Sequence, residues 1–283
     1  MAKISEVFKE FGFKDDQLTL LAGPCAIESY ETCAQVAQTL KELTDELGIN
    51  FVFKSSFDKA NRSSLDSSRG AGLENGLAVL KKIKDTYNVP IVTDVHESYQ
   101  CEPVAQVADV LQIPAFLSRQ TDLLLAAAKT GKVVNIKKAQ FMAPEDMQSA
   151  VKKVAASDDK ILVTERGTMF GYHQLVVDMT SLIQMRSLDY PVIFDATHSV
   201  QIPSGYGNHS GGNREYAFPL LRAALTIGID GIFAEVHPNP AEAISDQDSQ
   251  LELSKIRPIL TAANKLFHES REMREAFADD GLL

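Results

Sequence analysis

Eight short apolar runs, separated by stretches of helical period, constrain this chain more than any other feature. They read TLLAGPC (19–25), NFVFKSS (50–56), PIVTDV (90–95), VLQIPA (110–115), VVNIKK (133–138), ILVTERG (161–167), PVIFDATH (191–198) and GIFAEVHP (231–238). Between them, segments such as ETCAQVAQTLKELTDELG and GLENGLAVLKKIKDTY place apolar residues three and four apart, the spacing of an amphipathic helix. Apolar strands alternating with such helices build parallel βαβ units. A chain of 283 residues has room for two small domains or for one large barrel. Eight units in that length suit an α/β chain folded as a (β/α)8 TIM barrel better than a doubly wound sheet. No Gly-x-Gly-x-x-Gly or Walker pattern follows the first run, which weakens the dinucleotide-binding alternative. The first 18 residues fall outside the repeat. The expected organisation is an N-terminal extension over 1–18 that caps a single barrel domain over 19–283.

Composition narrows the function classes. Hydrophobic residues make up 45% of the chain, and the formal net charge is -10. An acidic chain with no basic tail is a poor binder of nucleic acid, although a local cluster of Lys and Arg can still hold small anions. Three cysteines, an odd number, argue against a disulfide framework and for a reducing, cytoplasmic setting. The opening MAKISEVFKEFGFKDDQ is charged throughout, unlike a secretion signal. No apolar run approaches the roughly 20 residues of a membrane span, so no membrane partner is expected.

Polar residues sit where the apolar runs end: Cys25, Lys54 and Ser56, Asp94, Lys137 and Lys138, Arg166, His198, Glu235 and His237. In a barrel these ends converge on one mouth, where active sites form. Cys25, His198, Glu235 and Asp246 offer a thiolate, an imidazole and two carboxylates, a set suited to Zn, Fe(II), Mn or Co rather than Mg or Ca. The first and eighth strands of a closed barrel are neighbours, which brings Cys25 near Glu235. A buried free cysteine and a structural histidine remain the alternative, because no short Cys-x-x-Cys motif is present. The stretch FKSSFDKANRSS (53–64) sets Lys54, Lys59 and Arg62 among serines, and Lys137 and Arg166 end the fifth and sixth runs. Such cations with hydroxyls bind phosphate and carboxylate oxygens, in numbers enough for a substrate with both groups and a second phosphate. A plain polar loop is the competing reading of KANRSS. The glycine-rich PSGYGNHSGGNREY (203–216) reads equally as a water-excluding lid and as a disordered loop. Cys33 and Cys101 fall in helical periodicity and read as packing residues, while His96, His173 and His209 have no evident partner in sequence.

Taken together, AGPCAIES, FVFKSSFDKANRSS, GLENGL, TDVHE, QIPAFLSRQTDLL, NIKKAQF, TERGTMFGY, FDATHSVQ and AEVHPNP...SDQDSQ run in order along nearly the whole chain. In them the sequence resembles the 3-deoxy-D-manno-octulosonate 8-phosphate synthases (2-dehydro-3-deoxyphosphooctonate aldolases). The resemblance implies a transferase on a TIM barrel, usually a homotetramer, that condenses phosphoenolpyruvate with D-arabinose 5-phosphate and releases phosphate. The product of that reaction enters lipopolysaccharide biosynthesis. Family members with Cys in the first motif depend on a metal, and members with Asn there do not. Cys25 therefore implies the metal-dependent class, with Cys25, His198, Glu235 and Asp246 holding one divalent ion (Zn, Fe(II), Mn or Co). The resemblance assigns Lys59, Lys137 and Arg166 to phosphoenolpyruvate, with Lys54, Ser56, Gln112 and Gln140 nearby. It assigns Asn61, Arg62 and Ser63 to the sugar phosphate, with an arginine from a neighbouring subunit, for which Arg119 is the candidate. Lys59, His198 and Asp94 are the candidates for the chemical steps. A sister synthase that uses erythrose 4-phosphate resembles the chain as well, but it carries Lys-Pro-Arg-Thr-Ser where this sequence has Lys59-Ala60-Asn61-Arg62-Ser63-Ser64. A phosphosugar sensor on the same fold is a further alternative, disfavoured because the ligand positions and the cations occur together.

Overall fold

All eight apolar runs form strands of one closed parallel sheet in the computed structural model, which describes residues 3–61, 68–203 and 210–277. The strands are β1 (Thr19–Gly23), β2 (Asn50–Lys54), β3 (Ile91–Asp94) and β4 (Val110–Ile113). They continue as β5 (Val133–Lys137), β6 (Ile161–Glu165), β7 (Val192–Asp195) and β8 (Gly231–His237). Each pairs in parallel with the next, and β8 pairs in parallel with β1, which closes the barrel. Every residue of these strands is buried. Burial on both faces explains why they read as continuous apolar runs and do not alternate.

A helix follows each strand. These are α1 (Tyr30–Leu47), α2 (Leu73–Tyr87), α3 (Cys101–Ala105), α4 (Thr121–Lys129), α5 (Met147–Ala155), α6 (Thr180–Arg186), α7 (Ala217–Ile227) and α8 (Ile256–Ala276). α1 shows how the local sequence sets its bounds. Ser29 caps its N-terminus by accepting the Thr32 N–H at 3.1 Å, and Gly48 ends it in the left-handed region, a conformation that glycine adopts without strain. Its buried stripe, Cys33, Val36, Ala37, Leu40 and Leu43, faces the barrel. Cys101 is buried in the same core, so both helical cysteines pack as read from their periodicity.

The segment before β1 contains one helical turn, Ile4–Val7. Its Ile4, Val7 and Phe8 pack against Leu21, Val52, Val92, Val110, Val133, Leu162, Ile193 and Phe233, which point into the barrel. Asn50, the first residue of β2, donates to the Lys14 and Gln17 carbonyls. The segment therefore closes the N-terminal end of the barrel and leaves the other end open.

Candidate active site

The C-terminal strand ends surround a cavity of about 620 Å³, lined by Lys54, Lys59, Lys137 and Arg166 among others. β1 reaches this mouth through a glycine. A Cβ on Gly23 would lie 2.0 Å from the Lys54 carbonyl oxygen, so only glycine lets the ends of β1 and β2 approach so closely. Pro24 then turns the chain, and Cys25 follows, 1% exposed. The register places Gly23 opposite Glu235 of β8, which puts the thiol and the carboxylate on adjacent strand ends.

The loop after β8 adds the third donor. Asp246 sits in the left-handed region at φ 53, an uncommon position for a residue with a Cβ, which Asp tolerates better than most. Several contacts hold it there: Glu28 accepts the Ile244 N–H at 2.9 Å, and Gln250 bonds both the Cys25 N–H at 3.1 Å and the Ser245 carbonyl at 2.8 Å. As a result the donor atoms of Cys25, Glu235 and Asp246 all lie within 4.8 Å of one another. His198 stands beside this trio, with Nε2 3.6 Å from Glu235 Oε1 and Nδ1 2.8 Å from Asp195 Oδ2. Thus the structure brings three of the four expected ligands into one cluster and places the fourth at its edge.

These residues fit a divalent ion. Glu235 Oε2 is buried and finds no hydrogen-bond partner among the described residues, although an unpaired buried carboxylate oxygen is costly. Burial pushes the Cys25 thiol well above its ordinary value, and the carboxylates of Asp246 and Glu235 push it further. A soft thiol among carboxylates and an imidazole is a donor set for a transition metal.

The cations are braced by carboxylates. Lys54 Nζ lies 2.9 Å from Glu235 Oε1, 3.2 Å from the Cys25 carbonyl and 3.9 Å from Asp94. Lys59 Nζ lies 3.6 Å from Glu235 Oε1. Burial alone would lower the Lys59 pKa, but Cys25, Glu235, Asp94 and Asp246 around it raise it instead. Burial would raise Asp94 and Glu235, yet Lys54 first, with Lys59 and a histidine (His96 for Asp94, His198 for Glu235), holds both well below the usual carboxylate range. Arg166 is 4% exposed; its Nη2 donates to Gln201 at 3.1 Å, and its Nη1 finds no partner among the described residues. Gln140 Oε1 is buried and unpartnered in the same sense. Polar atoms aimed into a cavity without protein partners are the groups a polar ligand would satisfy.

Of the other expected site residues, Asn61 and Gln112 line the cavity, and Ser56 lies behind it, donating to Asp94. Arg62 and Ser63 lie outside the described residues, as does 204–209 of the glycine-rich loop. Arg119 is exposed in the loop after β4 and does not line the cavity of its own chain.

The structure also reveals participants that the sequence reading passed over. Asp195, fully buried, accepts from His198 Nδ1 and from Lys137 Nζ. Gln201 joins Arg166 to Asp246. Glu165 Oε1 accepts the backbone N–H groups of Arg166 and Gly167 and so fixes the turn that carries the guanidinium. Asn135 donates to Gln112 at 2.8 Å, and Gln112 donates to Asp94 at 2.7 Å, an ordered row across the barrel floor. His96 lines the cavity with a buried, unpartnered Nδ1. The signal available for Asp195 was its spacing three residues before His198 at one strand end.

Fold and site together define a TIM-barrel enzyme whose mouth gathers cationic side chains beside a thiol–carboxylate cluster. The family model described as the DAHP synthetase I family matches residues 4–272, and the chain belongs to that family. It is similar to relatives named 2-dehydro-3-deoxyphosphooctonate aldolase. The protein of Fusobacterium nucleatum is 59% identical, covering 89% of this chain and 91% of the relative. That of a Cyanothece species is 55% identical, covering 92% and 96%. That of Francisella philomiragia is 54% identical, covering 88% and 91%. Among the described residues no helix is long and apolar enough to cross a membrane.

Proposed function

We propose that the chain condenses phosphoenolpyruvate with D-arabinose 5-phosphate and water, giving 3-deoxy-D-manno-octulosonate 8-phosphate and inorganic phosphate. The observation that carries this reading is the convergence of Lys59, Lys137 and Arg166 on one cavity beside Cys25, Glu235 and Asp246, in a chain so close to relatives bearing the aldolase name. The product serves lipopolysaccharide biosynthesis in the cytoplasm.

The reaction brings two phosphate esters together, and in a pocket of low dielectric their repulsion is strong. Lys137 and Arg166 hold the phosphoenolpyruvate anion, with Arg166 Nη1, which has no partner among the described residues, as a donor for it. Asn61, Arg62 and Ser63 hold the sugar phosphate. C3 of the enol attacks the sugar aldehyde, water adds at C2, and the phosphohemiketal loses phosphate by C–O cleavage. Lys59, kept protonated by the carboxylates around it, donates to the aldehyde oxygen as it gains negative charge. Asp94, kept ionised by Lys54 and Lys59, accepts a proton from the attacking water. Cys25, His198, Glu235 and Asp246 would hold a divalent ion, which when bound would supply positive charge for orienting a hydroxyl or water.

The working form is a homo-oligomer, a tetramer by family resemblance. Phe116, Phe141, Phe170 and Tyr172 are 50%, 58%, 67% and 83% exposed on loops that follow β4, β5 and β6, and exposed aromatic side chains of this kind are what a contact between copies would cover. Arg119 shares the Phe116 loop and is then the side chain delivered to a neighbour's sugar-phosphate site.

One assay tests the whole reading. Phosphate release from phosphoenolpyruvate is measured with arabinose 5-phosphate and with erythrose 4-phosphate, before and after chelation. The five-carbon sugar should be preferred at least about tenfold in kcat/KM, worth roughly 1.4 kcal/mol, and chelation should abolish turnover. An equal or reversed preference favours the four-carbon reaction. No turnover with either sugar favours a sensor.

A further inference from the structure

Asp195 ends β7 at 0% exposure, and its two oxygens serve different partners. Oδ1 accepts the backbone N–H of His198 at 2.9 Å and of Thr197 at 3.2 Å, which closes the turn after the strand. Oδ2 accepts from two side chains at once, His198 Nδ1 at 2.8 Å and Lys137 Nζ. His198 stands at the edge of the Cys25–Glu235–Asp246 cluster with its other nitrogen 3.6 Å from Glu235 Oε1, and Lys137 belongs to the cations of the cavity. Phe233 packs the pair together: its ring centroid is 3.2 Å from Lys137 Nζ and 5.7 Å from that of the His198 ring.

The geometry points to Asp195 as a positioning residue that couples metal binding to phosphoenolpyruvate binding through one shared oxygen, Oδ2. The inference rests on the reading of Lys137 as a phosphoenolpyruvate contact. A cation held at His198 Nε2 makes the Nδ1–H a stronger donor to its carboxylate, the ordinary behaviour of an outer-shell partner. The stronger donor claims more of the Oδ2 charge. Less remains to neutralise Lys137, whose ammonium then offers more to an incoming anion. The same balance works in reverse, because an anion that draws Lys137 away leaves Oδ2 to His198 and strengthens the metal site. Coupling of this kind is reciprocal.

Titration calorimetry on the full chain tests it, with Mn(II) and phosphoenolpyruvate added in both orders. With Mn(II) bound, the phosphoenolpyruvate Kd should be about tenfold lower than after chelation, and the Mn(II) Kd should fall by the same factor with phosphoenolpyruvate bound. In Asp195→Asn the ratio should drop below about twofold, within the scatter expected of uncoupled sites. In Arg166→Lys, which weakens the anion but leaves Oδ2 untouched, the full ratio should persist. Direct attraction between ion and anion survives in both variants, so equal ratios in the unmodified protein and Asp195→Asn overturn the inference. If Asp195→Asn fails to fold, the unmodified protein still decides. The Nδ1–H resonance of His198 in the Zn(II) form should move when phosphoenolpyruvate is added; a fixed resonance with a calorimetric ratio near one overturns the coupling. Absence of phosphoenolpyruvate binding in either metal state overturns the proposed substrate and this inference with it, whereas binding without coupling overturns the inference alone.

Discussion

At the N-terminal end of the barrel, Ile4, Val7 and Phe8 fill the space between inward-pointing Leu21, Val52, Val92 and Val110 with apolar contacts. At the other end the same eight strands finish in lysines, an arginine and carboxylates, and buried atoms of Glu235, Arg166 and Gln140 have no partner among the described residues. The first end is complete without a ligand. The second holds buried polar atoms of Glu235, Arg166 and Gln140 that no described residue satisfies. The contrast teaches how one barrel separates stability from chemistry: burial at the bottom supports the charge placement at the top. Each substitution below should disturb one end and spare the other.

The largest effect is expected at the bottom. Phe8 is 1% exposed and packs against Phe13, with ring centroids 4.9 Å apart. Phe8→Ala should lower unfolding free energy by about 3–5 kcal/mol, read from the denaturant midpoint. At a temperature where the variant is folded, kcat and KM should stay within about twofold of the parent, since no contact of the site is removed. A large kinetic defect in a fully folded Phe8→Ala protein would break the comparison.

Next comes the thiol. Cys25→Ala removes the soft donor and should weaken metal affinity by more than the roughly hundredfold ceiling of an outer-shell change, with activity lost in parallel and stability little altered. Cys25→Asn sharpens the test, because an amide still hydrogen-bonds a water or hydroxyl at that point. If the ion acts chiefly by positioning, this variant keeps activity that a chelator does not abolish. Metal binding must also deprotonate a thiol whose pKa burial and two carboxylates raise. Apparent affinity should therefore rise with pH, with proton release measurable in weak buffer.

Arg166→Ala follows. A buried charge-assisted hydrogen bond is worth about 1.5–3 kcal/mol, so kcat/KM for phosphoenolpyruvate should fall roughly ten- to hundredfold. The denaturant midpoint should change little or rise, because a desolvated guanidinium with one unpartnered nitrogen is removed. Unchanged kinetics would place Arg166 outside the anion site.

The sequence made the top of the barrel more legible than the reasons for its geometry. Each strand was readable because both of its faces are buried, and each strand end was readable because an isolated Lys, Arg, His or Glu follows an apolar run. Closure then made Cys25 and Glu235 neighbours by topology alone, and Gly23 does pair with Glu235. What could not be read depends on distances across loops. Asp195 lies within an apolar run, so it looked like strand rather than site. Gln201 and Gln250 act only because the loops after β7 and β8 fold back onto β1 and β6. The bottom was less legible still. The first 18 residues announced themselves only by falling outside the repeat; nothing in them says which end of the barrel Ile4 and Phe8 fill.

The smallest expected effect lies at the open end and separates activity from stability by sign. Burial lowers the Lys137 pKa from its ordinary 10.5 to about 8, only partly opposed by the attraction of Asp195. Asp195 itself is held far below the usual carboxylate range: burial works against this, but His198 and Lys137 together outweigh it. As pH rises through about 8, Lys137 in the free protein loses its proton and its hold on phosphoenolpyruvate. The value of kcat/KM should then fall, by up to about tenfold per unit if that charge is required. Stability should move the other way. Between pH 8 and 10.5 the unfolded lysine binds a proton that the folded one does not, so this group's contribution to stability rises with pH across that window and is lost as pH falls back through 8. Lys137→Arg removes both trends, since a guanidinium keeps its charge throughout. Activity and stability falling together above pH 8, and equally in Lys137→Arg, would mean that general alkaline unfolding governs both and that Lys137 sets neither.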